Sequence, residues 1–305
     1  MDSQRAGPIL LHEDSLQVTD ADEEIFLLYS ELQAAPQEVL RGLGHVDSRK
    51  NILTVDIEIS SPEMPSSPKS HHHGRSSKKA AKAKPQRSKT ISLDIAQDIT
   101  GLRSREGDTG SVVWKASVDF AQLVLQQLTY GTSSTSLFDK ELLSKSRVVE
   151  LGAGTGILGM ALHSYVGQYI ATDMASMIHL IKKNISSNVP NANNLSVAEL
   201  DWVALQSTPA HLRRPQYELG SPDLIISVDC IYHPALVPAF VEAVEFVAGD
   251  PGAKTTVLVI IELREQGAAT LLLELWLKNG WEVWRLGRDT GPPSPYVAWV
   301  AKKAA

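Results

Sequence analysis

Apolar and polar positions follow two different periods along the chain, and the change of period divides the sequence into regions. Residues 53–59 carry an apolar side chain at every second position, and residues 91–95 repeat this alternation. The pattern predicts two half-buried strands, and residues 23–32 have the spacing of a short amphipathic helix. We expect a small N-terminal β element that either covers a sheet edge or shapes a substrate groove.

From about residue 116 onward, short apolar runs alternate with segments of helical period. This alternation predicts a parallel sheet with helices on both faces. The last two runs are joined by residues 288–293, a turn without helical period, so we expect those strands to pair antiparallel. Met174, Met177 and the Leu residues of the helical segments are interpreted as core. Strands are predicted at residues 148–151, 169–172, 195–200, 224–228, 256–261, 282–286 and 296–300.

A basic segment separates the two patterned regions. Residues 60–90 contain eight Lys or Arg against one acid, Glu63, and are rich in Ser and Pro. They cannot bury enough apolar surface to offset their ordering entropy. We predict an N-terminal α/β extension at residues 1–59, a disordered basic linker or insertion at 60–89, and the main domain at 90–305. The linker is either a solvated tether or an arm that attracts RNA or directs nuclear import.

Composition excludes several classes of protein. The net charge of -6 includes the basic segment, so the rest of the chain is distinctly acidic and favours a basic partner. A single cysteine, Cys230, forbids an internal disulfide or a thiolate metal cluster, and we expect it to be a small core residue. Histidines 71–73 lack a partner carboxylate, and no metal site is predicted.

No apolar run reaches about 18 residues, and the N-terminus lacks signal-peptide features. We therefore expect no membrane association. We expect a cytoplasmic location, with the nucleus as a second site.

A glycine-rich turn, Glu150-Leu151-Gly152-Ala153-Gly154-Thr155-Gly156, follows the first predicted strand of the sheet. Glycines allow positive φ and leave no Cβ between the backbone and a ligand. Two cofactor classes use such a turn: dinucleotides and S-adenosylmethionine (SAM). Residues 154–159 match G-x-G-x-x-G, and Asp173 lies 19 residues beyond Gly154, as a dinucleotide site requires.

The position of the first glycine favours SAM over a dinucleotide. In the dinucleotide fingerprint the first glycine directly follows the strand, and here that residue is Gly152. The third glycine position then falls on Ile157. Counted from Gly152, the pattern is E-x-G-x-G-x-G, in which Glu150 suits the cationic amino group and sulfonium of SAM.

Polar residues follow the next three predicted strands. Asp173 ends the second strand, where it would bind the ribose hydroxyls of either cofactor. Asp201 and Trp202 follow the third strand, with a helix N-cap as the alternative role of Asp201. Asp229 and Tyr232 follow the fourth. Because parallel strands end at one crevice, we expect these side chains to share a ligand site.

These residues resemble the seven-strand lysine methyltransferases of methyltransferase family 16, and within that family the fungal ribosomal lysine methyltransferase type. The likeness covers nearly all of residues 90–300 and is loose before them. It is carried by the glycine-rich turn and by Gly110-Ser111-Val112-Val113-Trp114, Ala171-Thr172-Asp173, Asp201-Trp202, Val228-Asp229-Cys230-Ile231-Tyr232 and Ile260-Ile261-Glu262-Leu263-Arg264.

The resemblance implies an α/β, Rossmann-like, seven-stranded class I SAM-dependent methyltransferase fold with a small N-terminal β element. It implies that Trp114 contacts the cofactor, that residues 152–154 run along its amino-acid part, and that Asp173 binds its ribose. Trp202 and Val228 would flank adenine and the sulfur end. The implied substrate is a basic protein of the large ribosomal subunit, methylated by a monomeric enzyme.

Asp229 and Tyr232 are predicted to act on the acceptor lysine. Asp229 would bind the ammonium group or accept a hydrogen bond from the amine, and Tyr232 would narrow the lysine channel. The sequence has no [N/D]-P-P-[Y/F/W] motif after the fourth strand, which argues against methylation of nucleic-acid bases. Two other functions remain open: an NAD-dependent oxidoreductase that uses residues 154–159, and a SAM-fold binding module without catalysis.

Overall fold

An eight-stranded mixed sheet organises the chain in the computed structural model, which describes residues 4–34, 44–60, 88–104, 109–249 and 254–303. The strands are β1 (Gln4–Ala6), β2 (Ile9–Leu11), β3 (Leu16–Val18), β4 (Ile52–Ser60), β5 (Ser88–Ala96), β6 (Arg147–Leu151), β7 (Gln168–Asp173), β8 (Leu195–Glu199), β9 (Leu224–Val228), β10 (Thr256–Glu262), β11 (Trp281–Arg285) and β12 (Tyr296–Lys303). The α-helices are α1 (Ala21–Ala34), α2 (Ile99–Ser104), α3 (Lys115–Tyr130), α4 (Lys140–Lys145), α5 (Ile157–Leu162), α6 (Ala175–Asn188), α7 (Trp202–Ser207), α8 (Ala210–Gln216), α9 (Val237–Ala248) and α10 (Gln266–Lys278).

The order of the strands confirms the predicted fold class. The sheet runs β3-β11-β12-β10-β9-β6-β7-β8, and β6 to β10 are parallel neighbours. β11 and β12 pair antiparallel, as the turn at residues 288–293 predicted, and β12 also pairs antiparallel with β10. Every residue of β9 and β10 is buried. Strands buried on both faces read as continuous apolar runs, which is why the sequence located them.

The eighth strand was not predicted. β3 is only three residues long and pairs antiparallel with β11 at the sheet edge. β1 and β2 form a separate two-stranded pair, equally short. Segments of three residues are too short to display a period, so the alternation of apolar positions could not find them. The division of the chain at residues 59 and 89 stays a prediction, but β3 belongs to the main sheet.

Two apolar layers lie on the two faces of the main sheet. One contains Phe120 of α3, Leu158 of α5 and Ile181 of α6, all fully buried or nearly so. The other contains Ile25 of α1 and Trp276 of α10, together with most of α9. The helix predicted at residues 23–32 is α1. No helix in the described part of the chain is both long and apolar enough to cross a membrane.

The predicted N-terminal β element is the hairpin of β4 and β5. The two strands pair antiparallel over their whole length, and β4 alternates buried and exposed residues as its sequence indicated. The hairpin packs on α3, α5 and α6 and pairs with neither edge of the main sheet. The hairpin therefore adds no strand to either edge of the main sheet. Ser60, Ser88 and Lys89 belong to the hairpin strands; the rest of the predicted basic linker, including histidines 71–73, lies outside the described residues.

Asn184 of α6 connects this hairpin to the glycine-rich turn. Its side chain is 1% exposed, accepts a hydrogen bond from Ala96 N–H at 2.8 Å, and donates to Ala96 O at 3.1 Å and Thr155 O at 3.0 Å. One buried amide therefore makes three hydrogen bonds to the backbone. The hairpin, α6 and the turn are thereby held as one unit.

Asn184→Ala should lower the free energy of unfolding by about 2–3 kcal/mol, because it leaves Ala96 N–H and two carbonyls buried without partners. Chemical denaturation of the full chain measures this loss. Asn191→Ala, at an exposed position after α6, is the control and should change stability by less than about 0.5 kcal/mol. Equal stability of the two variants would show that the buried amide does not hold these elements together.

Candidate active site

A cavity of about 320 Å³ opens at the carboxyl ends of β6, β7, β8 and β9. The order of the sheet reverses between β6 and β9, which is where open α/β sheets bind ligands. The structure brings ten of the eleven predicted site residues to its lining: Trp114, Gly152, Ala153, Gly154, Asp173, Asp201, Trp202, Val228, Asp229 and Tyr232.

The glycine-rich turn forms the floor of the cavity. Gly152 and Gly154 have φ of 74° and 57°, the left-handed region that side chains disfavour. A Cβ on Gly152 would lie 2.5 Å from Cys230 Sγ, and one on Gly154 would lie 3.0 Å from Gly110 O. Only glycine lets the turn curl under the cavity while the segment before α3 crosses it.

Asp173 lies beside this floor at the end of β7. Its Oδ2 accepts a hydrogen bond from Gly154 N–H at 2.8 Å, and its Oδ1 accepts one from Met174 N–H at 2.8 Å. A carboxylate oxygen can accept more than one hydrogen bond. The side chain is therefore fixed by the backbone at the border of the cavity, where a ligand would meet an acidic group.

Asp201 and Trp202 form a third wall at the start of α7. Asp201 is the N-cap of α7, with Oδ1 accepting from Val203 N–H at 2.9 Å and Ala204 N–H at 3.0 Å, so the alternative capping role is present alongside its position in the cavity lining. The Trp202 ring packs edge-on against Phe240, with centroids 5.1 Å apart. Its Nε1 is buried and has no hydrogen-bond partner among the described residues.

Trp114 closes the opposite side of the cavity. Its Nε1 donates to Thr109 O at 2.8 Å, and its ring lies 4.4 Å from the ring of His45, centroid to centroid. The guanidinium carbon of Arg264 lies 4.9 Å from the Trp114 centroid. Three contacts thus fix the orientation of this ring.

Asp229 has the most constrained geometry of the cavity residues. It is the one non-glycine residue with positive φ (58°) in the described part of the chain, and its side chain is 3% exposed. One oxygen accepts from Glu262 N–H at 3.2 Å, and the other pairs with Arg264. Burial raises the pKa of Asp229, although Arg264 and the hydrogen bonds lower it in part. Strain of this kind persists only where surrounding contacts enforce it, and it clusters at functional sites.

Tyr232 follows Asp229 by three residues in the same loop and also borders the cavity. Its hydroxyl oxygen accepts a hydrogen bond from Thr109 Oγ1 at 3.1 Å. Because Thr109 also accepts from Trp114, the segment before α3 contacts both sides of this end of the cavity. Asp229, Tyr232 and Trp114 therefore surround one end, whereas Asp173 and Trp202 lie with the glycine floor.

The charged side chains among the described lining residues are all carboxylates. Three aspartates, Asp173, Asp201 and Asp229, border the cavity, and none of the described lining residues is Lys, Arg or His. A dinucleotide needs donors for its pyrophosphate, whereas a ligand with an amino group and a sulfonium suits a carboxylate-lined cavity. The cavity thus fits SAM better than a dinucleotide.

Glu150 is the predicted site residue that the structure does not bring to the cavity. Its side chain points to the interior beside β7, where Tyr169 Oη donates to its Oε2 at 3.0 Å. Burial raises the pKa of Glu150 to about 8, with a smaller contribution from Asp173 and an opposing one from the Tyr169 hydrogen bond. The expectation of contact with a cationic ligand is corrected, because strand alternation turns this carboxylate away from the crevice.

Two interpretations of core residues are also corrected. Cys230 lines the cavity, where its Sγ lies 3.4 Å from Leu151 O, and burial raises its pKa to about 12, so the thiol stays protonated. Met174 borders the cavity and is 37% exposed, so it is not a core residue. The core interpretation holds for Met177, which is 2% exposed and also borders the cavity. Met174 directly follows Asp173 at a strand end, which is the signal that could have placed it there.

Sequence reasoning assigned no role to Arg264, Glu262, Thr109 or His45. The first two were noted only as part of a family motif, and the contacts of Thr109 and His45 depend on loops that carry no periodic signal. The position of Glu262 at the carboxyl end of β10 was the available clue.

His233, next to Tyr232, is exposed and caps a short 3₁₀ turn through Ala235 N–H.

Comparison with known proteins places the chain in a family. The sequence profile of the lysine methyltransferase family matches residues 89–275. A protein of Zygosaccharomyces rouxii named ribosomal lysine N-methyltransferase 5 is 27% identical over 307 residues, covering 87% of this chain and 91% of that protein. The solved O-methyltransferase of Bacillus cereus, in complex with SAH, is 14% identical with a TM-score of 0.39, covering 68% of this chain and 91% of that one.

A second relative has a different name. A Schizosaccharomyces pombe protein named diaminohydroxyphosphoribosylamino-pyrimidine deaminase is 33% identical over 184 residues, 60% of this chain, and the match spans 41% of that protein. Nucleobase deaminases of the zinc class hold their metal through one histidine and two cysteines, or through three cysteines. This chain has one cysteine, and no cluster of metal-binding side chains occurs among its described residues. The cysteines of this chain are therefore too few for a zinc site of that type.

Asp173→Ala should weaken binding of SAM by about 1.5–3 kcal/mol, since a charge-assisted hydrogen bond to the ribose is lost. Isothermal titration measures the affinity, and Asp289→Ala, at an exposed loop position, is the matched control. Melting temperatures of both variants establish that they are folded. Unchanged affinity in a folded Asp173→Ala variant would remove this carboxylate from the cofactor site.

Glu150 gives a prediction for pH dependence. Its pKa in the folded chain, about 8, lies above the ordinary value of 4.5, so the folded state holds the proton more tightly than the unfolded chain. The stability that this group contributes is complete below pH 4.5 and is lost as pH rises through about 8.

Glu150→Gln should therefore flatten the fall in melting temperature between about pH 5 and pH 8, because the amide cannot ionise. Thermal unfolding at several pH values measures the slope. Glu141→Gln, at a side chain that is 81% exposed, should keep the slope of the unmodified protein. The same slope in all three proteins would contradict the burial of a protonated Glu150.

Proposed function

The chain belongs to the lysine methyltransferase family and is a SAM-dependent protein-lysine N-methyltransferase, and we propose that its acceptor is a lysine of a large-subunit ribosomal protein. Two findings support this substrate: relatives named ribosomal lysine N-methyltransferase 5 match most of the chain, and the chain outside its basic segment is acidic. An acidic surface attracts basic proteins, and ribosomal proteins are basic. Such a substrate suits a cytoplasmic enzyme.

The observation that carries the proposal is the composition of the cavity. One end has the glycine floor, Asp173 and Trp202, and the other has Asp229, Tyr232 and Trp114. When bound, SAM supplies an electrophilic methyl group on its sulfonium and leaves as S-adenosylhomocysteine. None of the described lining residues carries a cationic side chain that would oppose this cofactor or a lysine ammonium.

At the cofactor end the chain supplies binding and orientation. Asp173 would accept hydrogen bonds from the ribose hydroxyls, with Gly154 N–H holding its carboxylate in place. The backbone of residues 152–154 would lie along the amino-acid part, and Trp202 and Val228 would flank the nucleoside. The proposed role of Trp114 is to limit how far the cofactor extends toward the acceptor. Rigid walls of this kind place reacting atoms in line, which is most of what a methyl transfer requires.

At the acceptor end the chain must bind a lysine and free its nitrogen lone pair. Free lysine has a pKa near 10.4, so it enters as an ammonium and must lose one proton before attack. Asp229 would hold this ammonium and accept the proton, since its raised pKa makes it a better acceptor than an exposed aspartate. Asp229 would thereby leave a neutral amine directed at the methyl group that bound SAM would supply. Tyr232 would narrow the channel and keep water out.

Incubation of a cell extract with labelled SAM, with and without the protein, tests the function. We expect a labelled ribosomal protein whose label is recovered on methyl-lysine after hydrolysis. Label on another amino acid, or on RNA, would contradict the proposal. Titration with NAD should show no binding, and NAD binding in the absence of SAM binding would revive the oxidoreductase alternative.

Asp229→Asn should lower single-turnover transfer by about 100-fold or more, because the amide cannot take the proton. Asparagine tolerates the left-handed backbone at this position better than alanine, so the loop should keep its shape. SAM affinity should stay within a few fold of the unmodified protein, since the lost interaction belongs to the acceptor. Tyr232→Phe should have a mild effect if the ring alone shapes the channel. Transfer at a near-normal rate by Asp229→Asn would overturn the role given to this carboxylate.

A further inference from the structure

A single guanidinium connects three separate segments at the acceptor end of the cavity. Arg264 follows β10; its Nη2 pairs with Asp229 Oδ2, and its Nε lies 3.0 Å from Glu262 Oε1. Its guanidinium carbon lies over the Trp114 ring, 4.9 Å from the ring centroid. Trp114 precedes α3 and Asp229 follows β9, so these contacts join the ends of the two elements to β10.

The two carboxylates of this cluster are almost entirely removed from water. The side chains of Asp229 and Glu262 are each 3% exposed, whereas that of Arg264 is 33% exposed. Glu262 Oε2 is buried without a hydrogen-bond partner among the described residues. Burial raises the pKa of Glu262 and Asp229 raises it further, whereas Arg264 lowers the pKa of both carboxyl groups.

The geometry of Asp229 depends on the same cluster. Its backbone N–H donates to Ile260 O at 2.7 Å, and Glu262 N–H donates to its Oδ1 at 3.2 Å. With Arg264 on Oδ2, each oxygen has one partner and retains one further acceptor position. Asp229 also borders the cavity, so those remaining positions are where an incoming amine would bind.

We propose that Arg264 is a positioning residue, which holds the Asp229 carboxylate ionised and aimed at the acceptor while it fixes the Trp114 ring at the same end of the cavity. The inference rests on the proposed lysine methyltransferase function. Arg264 does not touch the reacting atoms; it acts through Asp229 and Trp114. A planar fork that bonds two carboxylates and stacks on an aromatic ring is a role that arginine fills and lysine does not.

The titratable groups around Asp229 determine how its pKa should change when Arg264 is removed. Glu262 faces it from β10, Tyr296 from β12, and Cys230 and Tyr232 from its own loop, while His45 lies beyond Arg264 and Trp114. Tyr296 and Cys230 have pKa values raised by burial and stay neutral, and burial followed by Arg264 lowers the pKa of His45. Arg264 is the cation that opposes the effect of burial on Asp229. Its removal raises the pKa of Asp229, so the ionised fraction falls and activity at acidic pH is lost first.

The test compares Arg264→Gln, Arg264→Lys and the unmodified full-length protein. Arg288→Gln, which removes an exposed arginine paired with Glu31, is the matched control. Arg264→Gln should lower single-turnover transfer by about 100-fold and move the acidic limb of the pH–rate profile to higher pH, with SAM affinity within a few fold. Arg264→Lys should restore the acidic limb, because the charge returns, but not the full rate, because the fork does not.

A readout independent of activity follows Asp229 directly. The carboxyl carbons of aspartate are labelled with ¹³C, the Asp229 resonance is assigned by its absence in Asp229→Asn, and the chemical shift is titrated with pH. The pKa of Asp229 should rise in Arg264→Gln and stay unchanged in Arg288→Gln. If Arg264→Gln does not fold, the same comparison is made with Arg264→Lys, for which a slow rate with a normal Asp229 titration is expected.

Three results would overturn the proposal: a near-normal rate and pH profile for Arg264→Gln, an unchanged titration of Asp229 in that variant, or a loss of rate matched by an equal loss of SAM affinity. Failure of the proposed function is distinguishable from these results. If the unmodified protein methylates no lysine, the function is wrong, while the carboxyl titration still decides whether Arg264 controls Asp229.

Discussion

The removal of Asp229 from water is the constraint on which the acceptor end of the cavity depends. A carboxylate with 3% of its side chain exposed loses most of its hydration, and only close partners make its charge tolerable. Arg264 and Glu262 N–H are those partners, and both come from the end of β10 and the residues after it. The pairing of β9 with β10 therefore fixes the place of the carboxylate, and the guanidinium carries that constraint across to Trp114.

A second connection fixes the cofactor end. The glycine turn packs against the segment that contains Gly110. Its Gly154 N–H also donates a hydrogen bond to Asp173. Asn184 ties the same turn, through Thr155 O, to the hairpin of β4 and β5. The hairpin is thus more than a cover for the helices. It supplies hydrogen-bond partners to a buried amide that supports the turn, although none of its described residues lines the cavity.

The sequence predicted features that depend on residues close together in the chain, and it missed contacts between residues far apart in the chain. The parallel strands were located because burial on both faces produces apolar runs, and the antiparallel pairing of β11 and β12 followed from a short turn. Residues at the carboxyl ends of strands were placed in one crevice because the topology brings those ends together. Glu150 was misplaced since its motif does not reveal which way a strand residue points. Arg264 was missed because its partners lie far apart in the chain and meet only after β9, β10 and α3 have packed.

The electrostatics of the acceptor end resolve a conflict inherent in methyl transfer to lysine. A buried carboxylate without a counter-ion would bind the lysine ammonium strongly and raise its pKa, which would suppress the neutral amine that must attack. A cavity without a carboxylate would bind the ammonium weakly and leave its proton without an acceptor. The ion pair with Arg264 offsets part of the Asp229 charge, while the remaining lone pairs of the carboxylate can still bind the amine and take its proton. The sulfonium of the cofactor adds a positive charge on the other side, which further favours the neutral amine. The same ion pair that makes a buried aspartate tolerable therefore also keeps it from holding the substrate in its unreactive form.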